Sequence, residues 1–434
     1  MANINIVVPP LSKIEFSGGI LCVMEYASGL AKRGHKVKII PILPCSKPEW
    51  FDMSDLIIVS LSFSQRFKAV INILLNTISL SFQLCVTFNK NFLKKIHENL
   101  KKLILSILLL VGNRFFTYDL QRSISLLYIR QIMPDADITI ATAFQTALPV
   151  ALYGKGSKYY FMQHFELIFK NDFQEPLLAE YDSRASYFLG LNMIANSPWL
   201  KVRLQAEFPM SKVELCENAI NHEIFSGTPK LASYSQEIKV ISYGGRKVAW
   251  KGFKEMAEAI KLVRNRLPQL NIIWLVYGSA ILPPDNDIAC YESLGFLQPK
   301  ELAKAYQEAD ILLSASWYES FPLFPLEAMA CGLPVITTQY GTESYAIHGE
   351  TAEVVEPKSP NSIAKGLLKL IQDQEYRKFI ATNGKIASKK FTWHNSVNNM
   401  EIILLQCQKD KTNYEKENFR VLEYPDNSII KTLN

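Results

Sequence analysis

Short apolar runs rich in Ile and Val alternate with amphipathic helical patterns along most of the sequence, and the alternation restarts near the middle. This pattern is typical of parallel β-sheets covered by helices on both faces. The strands predicted in the first half are Ile4–Val8, Val37–Ile40, Asp55–Val59, Ile138–Ala141, Lys158–Met162 and Met193–Asn196. Those predicted in the second half are Lys239–Gly245, Ile272–Gly278, Leu294–Phe296, Ile311–Ser316, Pro334–Thr338 and Ala352–Glu356. The sequence therefore predicts two doubly wound α/β domains.

The length of 434 residues also favours two domains of about 200 residues each, because it exceeds what one ordinary core holds. The first predicted domain covers residues 1–222 and includes an insertion at about 60–130. A polar, turn-forming stretch from His222 to Glu237 predicts the linker, and the second domain covers 223–390. Residues 391–434 are predicted to form a helix and a tail that cross back to the first domain. Two open sheets facing each other leave a cleft at their carboxyl edges, where such folds bind ligands.

The charge and cysteine patterns exclude several classes of protein. The formal net charge is +6, and no block of five or six basic residues suggests a nucleic-acid partner. The seven cysteines are scattered singly, without the Cys/His spacing that zinc requires. The N-terminus has no basic segment ahead of an apolar one, so a cleaved signal peptide is not expected. These observations predict reduced thiols and a cytoplasmic location.

One segment of the first domain is both basic and apolar. Residues 69–89 carry no charge but are too polar for a predicted membrane span. The next stretch, 89–116, has six basic residues and one acidic residue, a local charge of +5, with Phe92, Leu93, Ile96 and Leu100 at helical spacing. Two interpretations stay open. The helix lies peripherally on an anionic membrane face, or it is a core helix with a solvated lysine side.

The stretch ESFPLFPLEAMACGLPV places two glutamates, Glu319 and Glu327, eight residues apart after the predicted strand Ile311–Ser316. Pro325 suits the first position of a helix, because its missing N–H is not needed there. Glu327 is then the third helical residue, and a capping box would need a side-chain oxygen at Phe324, which has none. Attraction to the helix dipole remains available to Glu327. Glu319 has no helical role.

The loop between these glutamates suits a ligand that carries both phosphate and hydroxyl groups. Backbone N–H groups of Ser320, Phe321, Leu323 and Phe324 near a helix N-terminus suit an anion. Carboxylates beside them suit neutral hydroxyl donors. A nucleotide sugar carries both kinds of group.

This stretch resembles the E-x7-E pair and the EAMAxGxPV motif of the retaining GT-B glycosyltransferases of glycosyltransferase family 4, also called group 1. The resemblance implies the GT-B fold, with two Rossmann-like domains facing across a cleft, the first on the acceptor side and the second binding the nucleotide-sugar donor. The resemblance weakens between Ser60 and Arg130 and beyond Asp410. It implies that Glu319 contacts the hydroxyls of the donor sugar and that Glu327 holds the nucleotide ribose. Ser320 and Pro322 stand where many members have glycine.

A second motif, YGGRKVAWKGF, places Arg246 and Lys251 five residues apart after a predicted strand and two glycines. The guanidinium and the ammonium could clamp a diphosphate, although an exposed basic loop is the commoner explanation for such residues. The motif is similar to the GR-x4-KG element of the family. The resemblance implies that Arg246 and Lys251 neutralise the leaving diphosphate.

The resemblance extends to several other positions. His164 in FMQHFE matches the histidine that faces the donor sugar, so the predicted catalytic residues are Glu319, His164, Arg246 and Lys251. Gly18 and Gly19 match the glycine turn of the first domain, and Phe296 and Leu297 are expected to seat the base. The remaining predicted donor contacts are Ser320, Phe321, Pro322 and Leu323. Asn196, Ser197 and Asn218 resemble positions that organise the cleft, and Glu343 matches an acidic position.

No metal or other cofactor is predicted beyond the nucleoside-diphosphate sugar as co-substrate. Asp135–Asp137 leads directly into a predicted strand, and Asp285–Asp287 lies in a turn, so neither DxD motif is expected to bind magnesium. The predicted function is transfer of a sugar to a glycan or lipid-linked acceptor in cell-surface polysaccharide or glycoconjugate synthesis. Two alternatives stay open: a nucleotide-sugar-binding scaffold without transfer activity, and a sugar-nucleotide epimerase on the same fold.

Overall fold

The computed structural model of the protein describes residues 1–14, 17–87, 90–111, 117–168, 175–209, 212–230, 237–245, 248–278 and 289–417. Two parallel sheets form its framework, and each has its own hydrophobic core on both faces. The predicted fold class, two Rossmann-like α/β domains, is confirmed.

The first sheet has seven strands in the order β3-β2-β1-β4-β5-β6-β7, and every neighbouring pair is parallel. These strands are β1 (Asn3–Val8), β2 (Lys36–Pro41), β3 (Ile57–Ile58), β4 (Ile138–Ala141), β5 (Ser157–Met162), β6 (Asn192–Ala195) and β7 (Val213–Leu215). β1 is an interior strand, and its residues from Ile4 to Val8 are buried on both faces. This double burial explains why the strand reads as a continuous apolar run.

The second sheet has six parallel strands in the order β10-β9-β8-β11-β12-β13. They are β8 (Glu237–Tyr243), β9 (Asn271–Tyr277), β10 (Glu292–Gly295), β11 (Ile311–Ser314), β12 (Val335–Thr338) and β13 (Glu353–Val355). In both sheets the order reverses beside the first strand. Crevices at such switch points, at the carboxyl ends of the strands, are where these folds bind ligands.

Helices cover both faces of each sheet. Those of the first half are α1 (Gly18–Lys32), α2 (Phe63–Thr87), α3 (Lys90–Val111), α4 (Tyr118–Ile132), α5 (Phe144–Tyr153), α6 (Pro176–Ser186) and α7 (Pro198–Glu207). Those of the second half are α8 (Phe253–Arg266), α9 (Pro299–Glu308), α10 (Leu323–Ala330), α11 (Pro360–Gln372) and α12 (Gln374–Ser388). A last helix, α13 (Trp393–Glu417), follows.

The last helix lies against the first domain. Arg33 Nε donates to Glu401 Oε2 at 2.6 Å, and His35 Nε2 lies 2.8 Å from Glu401 Oε1. Val397 and Met400 belong to the hydrophobic core around β1. The chain therefore crosses between the sheets twice, whereas the predicted domain boundaries at 222/223 and 390/391 stay predictions. Residues 231–236 of the predicted linker and 418–434 of the predicted tail lie outside the described residues.

Several predicted bounds were wrong. β3 has two residues instead of the predicted five, and the sequence analysis missed β7, whose three residues are too few to display a period. The insertion contains α2 and α3 and leads into α4. Within the described parts of the chain, no helix is long and apolar enough to cross a membrane.

Candidate functional site

Glu319 lies in the loop between β11 and α10, at the carboxyl edge of the second sheet. Its Oε1 accepts a hydrogen bond from the ammonium group of Lys251 and another from Ser316 Oγ at 3.1 Å. Only 14% of the Glu319 side chain and 16% of the Lys251 side chain are exposed. The ion pair joins the loops that follow β8 and β11, which are neighbours in the sheet. Two of the predicted catalytic residues are thus in direct contact.

Lys251 is held in place by the backbone on both sides of it. Residues 249–251 form a single 3-10 turn, and Trp317 N donates to Trp250 O at 2.7 Å. The Lys251 ammonium also lies 4.6 Å from the centroid of the Trp250 ring, a distance at which cation–π attraction operates. The next residue, Gly252, has φ +69°, the left-handed region that favours glycine. A Cβ added to Gly252 would lie 2.0 Å from the carbonyl oxygen of Ala315.

Gly252→Ala is expected to destabilise the fold by about 1–3 kcal/mol or more and to reduce activity, because the backbone that carries Lys251 must move away from Ala315. Urea unfolding measures the first effect. Gly190→Ala is a matched control, since Gly190 also has φ +69° but has nothing within 4 Å of the added Cβ. The control should show only the cost of the left-handed backbone. Equal losses in the two variants would contradict the close-contact explanation.

His164 comes from the first domain and meets the second domain at an aromatic cluster. It follows β5, and its ring centroid is 6.4 Å from that of Trp250 and 6.0 Å from that of Trp199. Trp250 in turn stacks on Tyr318 at 5.9 Å, with the ring planes 17° apart. The predicted histidine is therefore next to the residues that flank Lys251 and Glu319. This aromatic cluster was not predicted from the sequence, although Trp250 lies within the motif YGGRKVAWKGF.

The glycine turn of the first domain faces the donor loop of the second. Gly18 begins α1, and a Cβ added to it would lie 3.7 Å from Leu323 Cδ1 at the start of α10. A Cβ on Gly19 would lie 3.2 Å from Gln163 Cβ, a tight contact. Two helix N-termini from different domains therefore face the same part of the cleft. Free backbone N–H groups at helix N-termini favour anions.

Amide and hydroxyl side chains connect the two domains beside this turn. Asn196 Oδ1 accepts a hydrogen bond from Ser320 Oγ, and Asn196 Nδ2 donates to the carbonyl of Gln163 at 3.0 Å. Asn218 Nδ2 donates to Gln163 Oε1 at 3.3 Å. Gln163 was missed by the sequence analysis, because an amide next to a histidine gives no motif signal.

A second contact between the domains lies near the predicted acidic position. Ser344 Oγ donates to the Glu217 carboxylate, and burial raises the pKa of Glu217. Glu343, the residue before Ser344, also has a pKa raised by burial. Glu217 gave no signal in the sequence, since a single glutamate after a short strand matches no pattern.

The prediction for the start of α10 was wrong. The helix begins at Leu323, so Pro325 is its third residue and Glu327 its fifth. Proline is tolerated anywhere in the first turn, because those N–H groups have no partner within the helix. At the fifth position Glu327 is beyond the reach of a capping box, which removes the capping explanation altogether.

Glu327 is a buried carboxyl group, with 7% of the residue exposed. Its Oε2 atom is buried and has no hydrogen-bond partner among the residues that the structure describes. Burial raises the pKa of Glu327 from 4.5 to about 8. The buried hydroxyls of Tyr277 and Tyr306 are 2.8 Å apart nearby and bond to each other. A buried acceptor in this state is suited to hydroxyl groups brought by a ligand.

Glu327→Gln is expected to raise stability at alkaline pH. The folded-state pKa of Glu327 lies above the unfolded value. The contribution of Glu327 to the free energy of unfolding is therefore complete below pH 4.5 and is lost as pH rises through about 8. The variant should therefore be more stable than the wild type above pH 8, by a few kcal/mol at most. Thermal unfolding from pH 5 to 9 measures the difference.

Ionisation of Glu166 also changes the stability of the protein in this pH range. Burial raises its pKa to about 7, and its Oε2 accepts from Phe144 N at 2.8 Å and from the Tyr160 hydroxyl at 2.5 Å. This contribution is present in both proteins and cancels in their difference. Parallel curves for the two proteins across pH 5 to 9 would contradict the buried, unpartnered state of Glu327.

Other predicted donor contacts have different surroundings. Phe321 is 7% exposed, and its ring packs between Tyr345 and Phe391, so its side chain belongs to the core and only its backbone can meet a ligand. Phe296 follows β10 and is half exposed. The backbone just before it is held by a hydrogen bond from Gly278 N to Gly295 O at 2.8 Å.

Phe296 and Leu297 lie some distance from the ion pair within the same edge of the sheet. Two strand spacings separate β10 from β8 and three separate it from β11, about 10 Å and about 14 Å respectively, so Phe296 and Leu297 are not expected to contact Lys251 or Glu319. Arg246, the fourth predicted catalytic residue, lies outside the described residues.

Of the two DxD motifs, the first lies away from the cleft. Asp137 Oδ2 accepts from Asn3 N at 2.7 Å and lies at the amino edge of the first sheet, the end opposite the cleft. Asp285–Asp287 lies outside the described residues. Within the described stretches no three His, Cys, Asp or Glu side chains form a group that could hold a metal ion.

A cavity of about 280 Å³ opens at the carboxyl edge of the first sheet, beside β3. Its lining includes Cys45, Lys47, Ile58, Ser60 and Ser62. This cavity lies on the side of the cleft that the sequence analysis assigned to the acceptor. A second cavity of similar volume lies among Glu237, Asp310 and Pro334, at the amino edge of the second sheet, away from the ion pair.

Comparison with solved structures defines the class of fold. The chain resembles sucrose-phosphate synthase from Thermosynechococcus elongatus with a TM-score of 0.65 and 16% identity, over 94% of this chain and 100% of that one. It resembles Anabaena HepE in complex with UDP and glucose with a TM-score of 0.59 and 14% identity, over 94% and 100%. These likenesses and the two parallel sheets define a GT-B fold.

Sequence comparison adds a family match within the second domain. Residues 238–373 match the family model described as glycosyl transferases group 1. An uncharacterized glycosyltransferase of Methanocaldococcus jannaschii is 29% identical over 206 residues, 43% of this chain and 52% of that protein. The D-inositol 3-phosphate glycosyltransferase of Corynebacterium glutamicum is 32% identical over 168 residues, 36% and 40% respectively. The chain spans about half the length of the curated relatives it matches. Fold and family match together support a glycosyltransferase of the GT-B type.

Proposed function

We propose that the protein is a retaining glycosyltransferase of family 4 that moves a sugar from a nucleoside-diphosphate sugar to a glycan or lipid-linked acceptor without a metal ion. The observation that carries the proposal is the partly buried ion pair of Lys251 and Glu319, beside the facing N-termini of α1 and α10. We further propose a cytoplasmic location and a role in cell-surface polysaccharide or glycoconjugate synthesis. WaaG is a glycosyltransferase involved in lipopolysaccharide biosynthesis, and its structure resembles this one with a TM-score of 0.63 and 13% identity over 92% of this chain and 99% of that one.

In this proposal the donor lies along the carboxyl edge of the second sheet. The diphosphate occupies the position between the two helix N-termini and the Lys251 ammonium, where positive charge is available. Glu327 accepts hydrogen bonds from the ribose hydroxyls, which gives its buried Oε2 partners. Phe296 and Leu297 seat the base at the β10 end of the edge. The HepE structure contains UDP and glucose, which agrees with this class of ligand.

The ion pair changes partners when the donor binds. In the free protein, Lys251 and Glu319 neutralise each other, which holds both groups in position without leaving a buried charge unpaired. The donor then supplies a diphosphate for the ammonium and sugar hydroxyls for the carboxylate. His164 contacts the same sugar from the first domain. Closure of the two domains around the donor excludes water and limits its hydrolysis.

The transfer step needs no covalent nucleophile from the protein. The bond between the anomeric carbon and the diphosphate oxygen breaks, and a bond from the acceptor oxygen forms on the same face of the sugar. The departing phosphate oxygen takes the proton of the acceptor hydroxyl. Lys251 and the helix N-termini stabilise the charge that develops on the diphosphate, which is the role a metal ion plays elsewhere. The cavity beside β3 is a candidate seat for the acceptor.

A thermal-shift panel of nucleoside diphosphates and their sugars tests the proposal, followed by transfer assays with any stabilising donor. We expect one nucleotide series to stabilise the protein and its sugar to be transferred with the anomeric configuration retained. Stabilisation by none of them would refute the transferase. Stabilisation with conversion of the free nucleotide sugar, and no transfer, would favour the epimerase instead.

A further inference from the structure

The helical hairpin formed by α2 and α3 carries the excess positive charge of the whole chain. The two helices contain seven of the 47 Lys and Arg residues and one of the 41 Asp and Glu residues. The remainder of the chain therefore has 40 residues of each sign and is neutral in sum. A charge of +6 is concentrated on this one hairpin.

Both helices also expose large apolar side chains at helical spacing. Leu75, Ile78 and Ile104 are 60%, 64% and 58% exposed. The full set is Phe67, Ile71, Leu74, Leu75 and Ile78 on α2, and Leu93, Leu100, Ile104 and Ile107 on α3. Spacings of three, four and seven residues place each set on one side of its helix. We call these two sets the apolar stripes.

The hairpin is anchored to the first domain through other faces. Val70 and Leu103 are each 9% exposed, and Leu109 belongs to the core that covers one face of the first sheet. Arg66 donates a hydrogen bond to the carbonyl of Leu109, which ties α2 to the end of α3. No residue of the apolar stripes belongs to the hydrophobic cores formed by the described residues. Exposed apolar surface of this extent marks an interaction site.

Exposed lysines border the stripe of α3. Lys94 and Lys101 follow Leu93 and Leu100 directly in the sequence, about a quarter turn around the helix, and both are exposed. The one acidic residue of the hairpin, Glu98, lies 3.5 Å from Lys101, with more than half of both side chains in solvent. An apolar side flanked by lysines is the pattern of a helix that lies in a lipid interface, where the long side chains reach the headgroups.

We propose that the α2–α3 hairpin docks on an anionic lipid surface, with its apolar stripes in the interface and its lysines among the headgroups. Charge complementarity selects this occupant, because basic residues beside apolar side chains gain from anionic lipid but gain nothing from neutral lipid. Of the two interpretations of residues 89–116, the exposed stripe favours the lipid-facing one. It also extends the contact to α2, which the sequence analysis did not include. The inference does not depend on the reaction that the protein catalyses.

Flotation of the full chain with phosphatidylcholine vesicles, with and without phosphatidylglycerol, tests the proposal. We expect the protein to float with the anionic vesicles only and to be released by added salt, which screens charges. Hydrogen exchange on the wild type should show new protection within residues 63–111 when anionic vesicles are present. This second measurement needs no variant and is independent of folding defects.

Charge variants identify the docking surface. K94Q, K95Q, K101Q and K102Q together should weaken binding to anionic vesicles by roughly 100- to 1000-fold, at about fivefold for each lysine near the surface. The matched control replaces four exposed lysines of the second domain, K300Q, K365Q, K378Q and K389Q, with the same change in net charge. We expect the control to bind as the wild type does.

Apolar variants complete the test. Replacing Leu75, Ile78, Leu100 and Ile104 with Ser should also abolish flotation, although the charge is unchanged. Three results would each overturn the proposal. They are an equal loss of vesicle binding in the hairpin charge variant and its matched control, flotation with neutral vesicles only, and no new protection from hydrogen exchange within residues 63–111. Self-association of the wild type, without vesicle binding and abolished in the apolar variant, would also overturn the proposal. The apolar stripes would then bind a second copy of the chain.

Discussion

Replacing Lys251 with Ala is expected to lower kcat for sugar transfer by about 100- to 1000-fold, the loss typical of removing one charge-stabilising group from an active site. The variant loses the cation that faces the departing diphosphate. It also leaves Glu319 as a partly buried carboxylate without its ion-pair partner, and this negative charge repels the diphosphate. Both effects act in the same direction. Steady-state kinetics with the donor identified by the thermal-shift panel measures the change.

Lys254→Ala is the matched control for this experiment. Lys254 is three residues further on, in the first turn of α8, and its side chain is exposed. Its removal should change stability by no more than about 0.5 kcal/mol and leave kcat unaltered. Normal activity of Lys251→Ala, or equal losses in the two variants, would show that Lys251 is an ordinary surface lysine after all.

Replacing Glu319 with Gln is expected to lower kcat by roughly 10- to 100-fold, the equivalent of one hydrogen bond to a charged group. The amide keeps the shape of the side chain but loses the charge that holds the sugar hydroxyls and Lys251. Because the carboxylate acts on the sugar, the loss should appear in turnover more than in binding of the nucleotide.

Glu350→Gln is the control for the second experiment, since Glu350 is exposed in the same domain. Unchanged turnover of Glu319→Gln with a normal fold would refute the role given to this residue. A large loss of thermal stability in Glu319→Gln, with full activity restored at low temperature, would place Glu319 among structural residues.

The sequence predicted the framework because both sheets consist of buried parallel strands, whose continuous apolar runs are visible without knowledge of the fold. It failed where an element is short. β3 and β7 have two and three residues, so no period can be recognised, and their existence depends on pairing with β2 and β6. The α10 start was also wrong, because Pro325 is acceptable at several positions of a first turn and was assigned to the first.

The residues of the candidate site that lie within a local sequence motif were predicted. Glu319 and Lys251 were identified separately, from stretches whose sequence spacing says nothing of their distance in space. Their direct contact depends on the adjacency of β8 and β11, which have two other strands between them in the sequence. Gln163 and Glu217 were missed for the same reason, since their significance comes from partners that are distant in the sequence, Asn218 and Ser344 respectively.

Titration of the nucleoside diphosphate that most stabilises the wild type tests the central claim, that the Lys251–Glu319 pair forms the donor site. The account predicts opposite effects of the two substitutions on affinity. Lys251→Ala should weaken binding by roughly 10- to 100-fold, and Glu319→Gln should tighten it several-fold, because the ammonium is then released for the diphosphate. Unchanged affinity in both variants, or weakening in both by the same factor, would contradict the account.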